Sequence, residues 1–404
     1  MADTANRLRI SFFLGLRSLK RGNTGSMLMT IVIIGMVFTN MIFLPSIITG
    51  AIRNYEQQTI DYYSGNIIIE PKKDAAYIED LGDLLARVNR APGVLRAAPH
   101  YDLGGVMKFE GNRIPGSIIA VRPRDETMVT GISHTMTEGQ YLGDADTGVI
   151  VIGKLVAGHK DESEDLIPSL GGVVTGDSID VEFTNGVTRT YRVKGIFETK
   201  SFAVDPSVYI TWDEMESISG HPVDEATSVL IKTVPGEDEL DVKYSLVGMG
   251  IQEKIKTWRE LLGKALGNAV ESYGIINNIS TIVSLIIAIV VIFIVMMIKT
   301  LNNRRQIGIL KAIGIHRSII TMSYVIQVII LASAGIIFGL VVLFLLNGYF
   351  SVYPLVFPEG DIRPVFTIGD LGANAVMLFI ASLIAGFIPA WQITREEILS
   401  AMRR

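Results

Sequence analysis

Residues 299–317 read Lys-Thr-Leu-Asn-Asn-Arg-Arg-Gln-Ile-Gly-Ile-Leu-Lys-Ala-Ile-Gly-Ile-His-Arg, a short basic segment between two long apolar runs. Ile276 to Ile298 supplies 23 residues without a charge before it, and Ile319 to Leu346 supplies 28 after it, with Gln327 as the strongest polar side chain. At about 1.5 Å per helical residue, either run is long enough to cross a hydrocarbon core of about 30 Å. The connector therefore lies at a membrane surface. Lys299, Arg304, Arg305, Lys311 and Arg317, with no acid among them, place that surface on the cytoplasmic side.

Across the 404 residues, 49% are hydrophobic and 19% charged, a balance that predicts a hybrid of membrane and water-soluble parts. The net charge of -5, with basic residues gathered beside apolar runs, argues against nucleic acid as a partner. The absence of cysteine removes disulfides, a thiol nucleophile and zinc-thiolate sites from consideration.

Taken outward from the connector, the chain divides as follows. Residues 1–25 predict an amphipathic helix on the cytoplasmic membrane surface, with Leu8, Phe12, Phe13, Leu16 and Leu19 on one side. Residues 26–49 are uncharged and too long for the apolar region of a signal peptide, so they predict a first transmembrane helix. Residues 50–258 carry strand and turn signals and predict an extracytoplasmic domain. It begins with a strand near Gly65–Pro71, a helix over Ile78–Arg90 and a strand near Val94–Pro99. A second strand-helix-strand unit follows at Thr227–Val234, Glu237–Leu246 and Ile251–Trp258, after a mostly β insertion at about 121–220. Within the insertion, Asn185-Gly186 predicts a hairpin turn, and Asp161, Glu162, Glu164 and Asp165 a solvated loop.

Residues 259–298 predict a stalk running into the second transmembrane helix, with Leu262, Leu266, Ala269 and Tyr273 on the stalk and Gly274 as a point where it could break. The coupling segment is 299–318, the third span 319–346, an outside loop with Pro354, Pro358 and Pro364 covers 347–370, and the fourth span is 371–391. The tail at 392–404, with Arg395, Arg403 and Arg404, returns to the cytoplasm, so both termini are expected inside. Gly335 and Gly339 form a small-residue pair suited to close helix packing. The expected fold class is thus an α-helical membrane domain of four transmembrane helices plus an α+β extracytoplasmic domain of two strand-helix-strand units with a mostly β insertion.

The sequence contains no Gly-x-x-x-x-Gly-Lys-Ser/Thr phosphate loop, no His-Glu-x-x-His and no Gly-x-Ser-x-Gly elbow. Its histidines, His100, His134, His159, His221 and His316, are scattered. The apolar cores of the spans lack Asp, Glu, His, Lys and Arg, which argues against proton relays, ion coupling or intramembrane catalysis.

Arg305-Gln306-Ile307-Gly308-Ile309-Leu310-Lys311-Ala312-Ile313-Gly314 is similar to the Arg-Glu-Ile-Gly-x-Leu-(Arg/Lys)-Ala-Ile-Gly signature of FtsX/MacB/LolC-type permeases of ABC transporters. Leu16-Arg17-Ser18-Leu19, Glu138-Gly139-Gln140-Tyr141-Leu142, Gly176-Asp177 and Thr257-Trp258-Arg259-Glu260 extend the resemblance over nearly the whole chain. Gln306 and Gln327 depart from it, each replacing an expected glutamate.

The resemblance implies a multi-pass protein of the cell (inner) membrane, a non-enzymatic permease working as a dimer with a second copy or homologue. It also implies two copies of a separate ATPase subunit that bind ATP and Mg, with no cofactor held by this chain. Membrane lipid and an extracytoplasmic adaptor, carrier or channel complete the expected partners. Mechanotransmission to the outside domain would serve export, efflux or extraction of lipoprotein or amphiphilic substrates; the alternative is an FtsX-like regulator of an extracytoplasmic hydrolase or signalling partner. The residues expected to couple to the ATPase are Arg304, Arg305, Gln306, Ile307, Gly308, Leu310, Lys311, Ala312, Gly314 and Arg317. Helical spacing sets Ile307, Leu310 and Gly314 on one face, ringed by Arg304, Arg305 and Lys311, as a docking surface.

Overall fold

The structure, a computed structural model, describes residues 2–21, 24–161, 163 and 165–395, with the side chains of 2–8, 20, 21, 264–266, 269, 270 and 393–395 outside the description. The side chains of Leu8, Leu266, Ala269 and Arg395, and Glu162, Glu164, Arg403 and Arg404 altogether, therefore lie outside the described residues.

In chain order, α1 (Ala2–Arg21) and α2 (Thr24–Gln58) are followed by a π turn at Thr59–Tyr63. Then come β1 (Ile67–Glu70), α3 (Leu81–Val88), β2 (Val94–Phe109), β3 (Asn112–Val121), α4 (Pro123–Val129), β4 (Met136–Gly139), β5 (Val149–Gly153) and α5 (Lys154–Ala157). β6 (Ser178–Phe183), β7 (Thr188–Phe197), β8 (Val208–Thr211), α6 (Trp212–Ser219), β9 (Ser228–Thr233), α7 (Glu239–Gly248) and β10 (Lys254–Thr257) complete the water-soluble part. The remainder is α8 (Trp258–Asn302), α9 (Arg304–Ala312), α10 (Arg317–Val352), the hairpin β11 (Leu355–Phe357) and β12 (Gly360–Ile362), and α11 (Ile368–Arg395). The chain divides into two compact units: Met1–Ile52 with Ala269–Leu355 and Ile362–Arg404, and Arg53–Asn268 with Val356–Asp361.

In the second unit the two strand-helix-strand units interlock. The sheet runs β10-β1-β9-β2-β3-β8-β5-β7-β4, with β6 pairing β2 and β7. β9 lies between β1 and β2, antiparallel to both, and β1 lies between β9 and β10. Each unit thus inserts a strand into the other, the split βαβ arrangement that makes distant stretches of chain mutually dependent. Alternation along the strands covers both faces: Ile67, Ile69, Val229 and Ile231 join the core under α3 and α7, while Ile68, Ala98 and Leu230 pack with Val129 of α4 on the other side.

The insertion hangs from β2, whose 16 residues pair first with β9 and then with β3 and β6. Sequence patterning ends this strand near Pro99 and leaves β3, α4 and α6 unassigned; cross-strand pairing carries β2 on through Gly104-Gly105 to Phe109. The Asn185-Gly186 turn joins β6 to β7, with Gly186 at φ +83°. In the acidic loop, Asp161 accepts from the Ser163 amide and hydroxyl, and Asp165 accepts from His159 and Ser169.

Among the described residues four helices are long and apolar enough to cross a membrane, within Thr24–Tyr63, Glu271–Asn302, Arg317–Val352 and Ile368–Gln392. α2 continues beyond the expected end at Thr49 as one helix of 35 residues, about 52 Å long at the helical rise. α8 is likewise continuous over 45 residues, unbroken at Gly274. Of the stalk residues, Leu262 is buried and Tyr273 exposed.

The region 347–370, read as a loop, instead extends α10 to Val352 and forms β11 and β12. The turn of that hairpin belongs to the second unit, where the side-chain amides of Asn54 and Gln58 each donate to the Glu359 carbonyl at 3.0 Å and Lys200 pairs with Asp361 at 3.0 Å.

Within the membrane unit, α2 and α10 cross on glycine. A β-carbon on Gly335 would lie 2.6 Å from Ile34 Cγ2, one on Gly339 2.7 Å from the Gly35 carbonyl oxygen, and one on Gly35 2.9 Å from the Gly335 carbonyl oxygen. The Thr39 hydroxyl donates to the Gly339 carbonyl at 3.3 Å across this contact. Close backbone approach supplies the van der Waals contact that drives helix association where lipid removes the hydrophobic difference.

One buried polar group in the outside domain has a defined pH consequence. His100 on β2 and Glu126 on α4 are both buried, with Nε2 and Oε2 2.7 Å apart, and Thr130 Oγ1 donates to Glu126 Oε1 at 2.7 Å. Burial pushes the imidazole pKa down, but the Glu126 carboxylate and its hydrogen bond outweigh burial and hold it above 6.5. Burial pushes the neighbouring Asp102 carboxyl up, against the attraction of His100. A raised folded-state pKa makes the His100 contribution complete below about 6.5 and lost as pH rises through the folded value. Denaturant unfolding of the wild-type chain should therefore show stability declining above pH 6.5, and Glu126→Gln should abolish that decline. Glu126→Ala should cost roughly 3–5 kcal/mol, the usual penalty for breaking a buried pair; a pH profile identical in wild type and Glu126→Gln would contradict this account.

Candidate coupling site

α9 is a separate helix because both of its ends are specified. Asn303 leaves helical geometry after α8 and is the N-cap of the new helix. At the other end Gly314 adopts φ +92°, its amide donates to the Lys311 carbonyl at 3.0 Å, and the Ile315 amide donates to the Leu310 carbonyl at 3.1 Å. These paired bonds form a Schellman motif, with Leu310 and Ile315 both packed against the membrane core as its apolar clasp. His316 then caps α10, its Nδ1 accepting from the Ser318 amide at 3.3 Å.

The faces of α9 differ from the sequence expectation. Ile307 is only 3% exposed and joins the membrane core beside Ile320 and Tyr324; Gly308 is buried and Leu310 half-buried. Burying the Ile307 side chain contributes about 1.5–3 kcal/mol to holding α9 against the membrane helices. The face expected to dock therefore turns inward, although Gly314 is exposed. Arg304 and Lys311 are half-buried beside it. The opposite face presents Arg305, Gln306, Ile309, Ala312 and Ile313, all exposed, with Ile309 at 46% and Ile313 at 74%. At 100° per residue these side chains fall within an arc of about 120°. Arg317, at the start of α10, is exposed as well. The outward surface is an apolar pair one helical turn apart, next to a cation. Sequence spacing is equally compatible with either face; only the neighbours decide which is covered.

α1 seats beside this site. Ser11 Oγ donates to the Ile319 carbonyl at 3.2 Å, a β-carbon on Gly15 would lie 2.9 Å from the Ser323 carbonyl oxygen, and Leu19 is buried. The packed stripe is Ser11, Gly15 and Leu19, while Phe12, Phe13 and Leu16 remain exposed. Among the described residues no cluster of His, Asp and Glu has the makings of a metal site.

Since a non-glycine residue in the left-handed conformation costs about 1–2 kcal/mol, Gly314→Ala should loosen the end of α9 by that amount. Hydrogen exchange should then quicken roughly 5–30-fold at the Gly314 and Ile315 amides. Unchanged protection there would remove the Schellman clasp from the account.

Comparison with known proteins covers both parts of the chain. Residues 26–246, more than half of its length, match the model of the MacB-like periplasmic core domain, and residues 278–398 match that of the FtsX-like permease C-terminal region. A "Macrolide export ATP-binding/permease protein MacB" of Shewanella sp. (strain ANA-3) is 18% identical over 321 residues, covering 78% of this chain and 47% of that protein. A protein of the same name from Burkholderia cenocepacia (strain HI2424) is 23% identical over 141 residues, covering 35% of this chain and 20% of its own length. The chain thus spans half or less of these curated relatives.

Among solved structures, the periplasmic region of MacB from Actinobacillus actinomycetemcomitans aligns with 12% identity and a TM-score of 0.36, over 51% of this chain and 91% of that one. The extracellular domain of the noncanonic ABC-type transporter YknZ from Gram-positive bacteria aligns with 10% identity and a TM-score of 0.34, over 47% and 97% respectively. Two family matches lie in the order in which the fold presents its parts, an interlocked α+β domain after the first apolar helix and the remaining apolar helices after it, and on that ground the chain belongs to the ABC-transporter permeases with a MacB-like periplasmic core domain and an FtsX-like permease region.

Proposed function

We propose that the chain is the permease partner of a separate ATPase, and that α9 is where the two meet. ATP and Mg are held by the ATPase and none by this chain; two ATPase copies serve a dimer of this permease or of the permease and a homologue. The basic residues of 299–317 support a cytoplasmic α9, with residues 53–268 on the far side of the inner membrane. Export, efflux or extraction of an amphiphile, such as a lipoprotein or drug-like molecule, is the work served. It is supported by the export named in the MacB relatives and by membrane helices whose cores lack the ionisable groups that ion-coupled transport uses.

The observation that carries the reading is the outward face of α9, with Ile309 and Ile313 uncovered beside Arg305 on a helix otherwise packed inward. Two exposed aliphatic side chains with a flanking cation suit docking, in which desolvated apolar contact holds and the charge orients. Ile313→Asp should lower ATPase recovery in co-purification about tenfold or more and abolish ATP-driven function, while leaving membrane insertion and the fold of the outside domain intact. Leu310→Asp is the poorer probe, because Leu310 also packs against the membrane core. If Ile313→Asp retains its ATPase and full function, α9 is not the docking element.

A further inference from the structure

A cavity of about 410 Å³ opens between α1, α9 and α10. Its size falls in the range of small-molecule pockets, roughly 300–1,000 Å³. Arg17 and Ser18 come from α1, Gln306 from α9, and Tyr324 and Gln327 from α10, with aliphatic side chains between them. Among the described residues that line it, Arg17 is the single cation and there is no carboxylate. Gln327 is 1% exposed, and its Oε1 has no hydrogen-bond partner among the described residues. A buried amide oxygen in this condition calls for a donor, since buried polar groups are almost always paired.

The surroundings show where a donor would come from. Phe12, Phe13 and Leu16 are exposed on α1, and the Arg17 guanidinium lies over the Phe13 ring at 5.6 Å. A helix with exposed aromatic and aliphatic side chains beside basic ones belongs in the headgroup and acyl boundary of a bilayer. We propose that the cavity binds the headgroup of a cytoplasmic-leaflet glycerophospholipid, its phosphate against Arg17 and a headgroup hydroxyl donating to Gln327 Oε1. One cation without an acid matches a single phosphate with hydroxyl donors, as in phosphatidylglycerol. An ethanolamine ammonium would meet no carboxylate there, and a choline headgroup has no donor for Gln327. The lipid would lie between α1 and the flank of α9 that carries Gln306, Ile307, Ile309 and Leu310, bracing both. This site requires only the membrane unit; Gln306 and Ile309 border both the cavity and the proposed docking face, and the test below uses the chain without an ATPase.

The test is native mass spectrometry of the detergent-purified full chain, without any ATPase, given dioleoyl phosphatidylglycerol, phosphatidylethanolamine or phosphatidylcholine at equal concentration. Wild type should retain phosphatidylglycerol at least fivefold over both phosphatidylethanolamine and phosphatidylcholine; retention of phosphatidylethanolamine equal to phosphatidylglycerol would overturn the proposal. Arg17→Gln and Gln327→Leu should each bring phosphatidylglycerol down to the phosphatidylcholine level. Arg17 is exposed, so Arg17→Gln decides the matter if Gln327→Leu folds poorly, which circular dichroism would reveal. Equal retention of the three lipids, or undiminished phosphatidylglycerol on Arg17→Gln, would overturn the proposal. Displacement of the lipid by equimolar sn-glycerol 3-phosphate would also overturn it, assigning the cavity to a soluble phosphate ester.

Discussion

The burial of Ile307 is the contact on which the arrangement at the membrane face depends. α9 carries Arg304, Arg305 and Lys311 and would otherwise be an ordinary solvated helix, free to move on its connections. With Ile307 packed beside Ile320 and Tyr324, α9 is tied to α10 and so to the apolar core of the membrane helices. The Schellman turn at Gly314 fixes its far end, and Leu310 with Ile315 closes the clasp. A force applied to the outward face at Ile309 and Ile313 then has packed side chains, rather than a flexible loop, through which to act. Packed interfaces of this kind pass displacement on because interiors are dense and poorly compressible.

A second constraint governs the other end of the chain. Interlocking of β1 and β9 makes the outside domain a single cooperative sheet even though its two strand-helix-strand units are separated by the whole insertion. β10 leads directly into α8 at Trp258, so the last strand of that sheet and a helix long enough to enter a membrane share an unbroken backbone. The hairpin between α10 and α11 provides a further tie, since its Glu359 carbonyl and Asp361 carboxylate are held by Asn54, Gln58 and Lys200. α2, α8 and the β11–β12 hairpin are accordingly the elements in which the backbone passes between the two units.

Much of this was legible in the sequence because composition and short-range periodicity report directly on helices in lipid. The four apolar runs, the basic connector and the paired strand-helix-strand units follow from run length, charge placement and alternation. Strand partners did not, because pairing Ile67 with Ile231 is a contact across more than 160 residues with no local trace. β3 was obscured by Pro115 and Gly116, which lower strand propensity but are accommodated opposite Val106 and Gly105. The β11–β12 hairpin was hidden by the prolines around it, read as loop signals. At the candidate site, the helix and its terminating glycine were legible, but the direction it faces was not: Ile307 and Ile313 are equally apolar, and only the neighbouring α10 determines which one is covered. The same reason hid Gly35, whose role exists only because Gly335 and Gly339 lie against it.

Because the native chain has no cysteine, the two faces of α9 can be read separately by maleimide labelling of single-cysteine variants in detergent, with and without the ATPase partner. The account predicts that Ile313→Cys and Ile309→Cys label readily in the free chain and become protected when the ATPase binds, whereas Ile307→Cys remains unlabelled throughout. Ready labelling of Ile307→Cys in the free chain, or labelling of Ile313→Cys that the bound ATPase leaves unchanged, would contradict it.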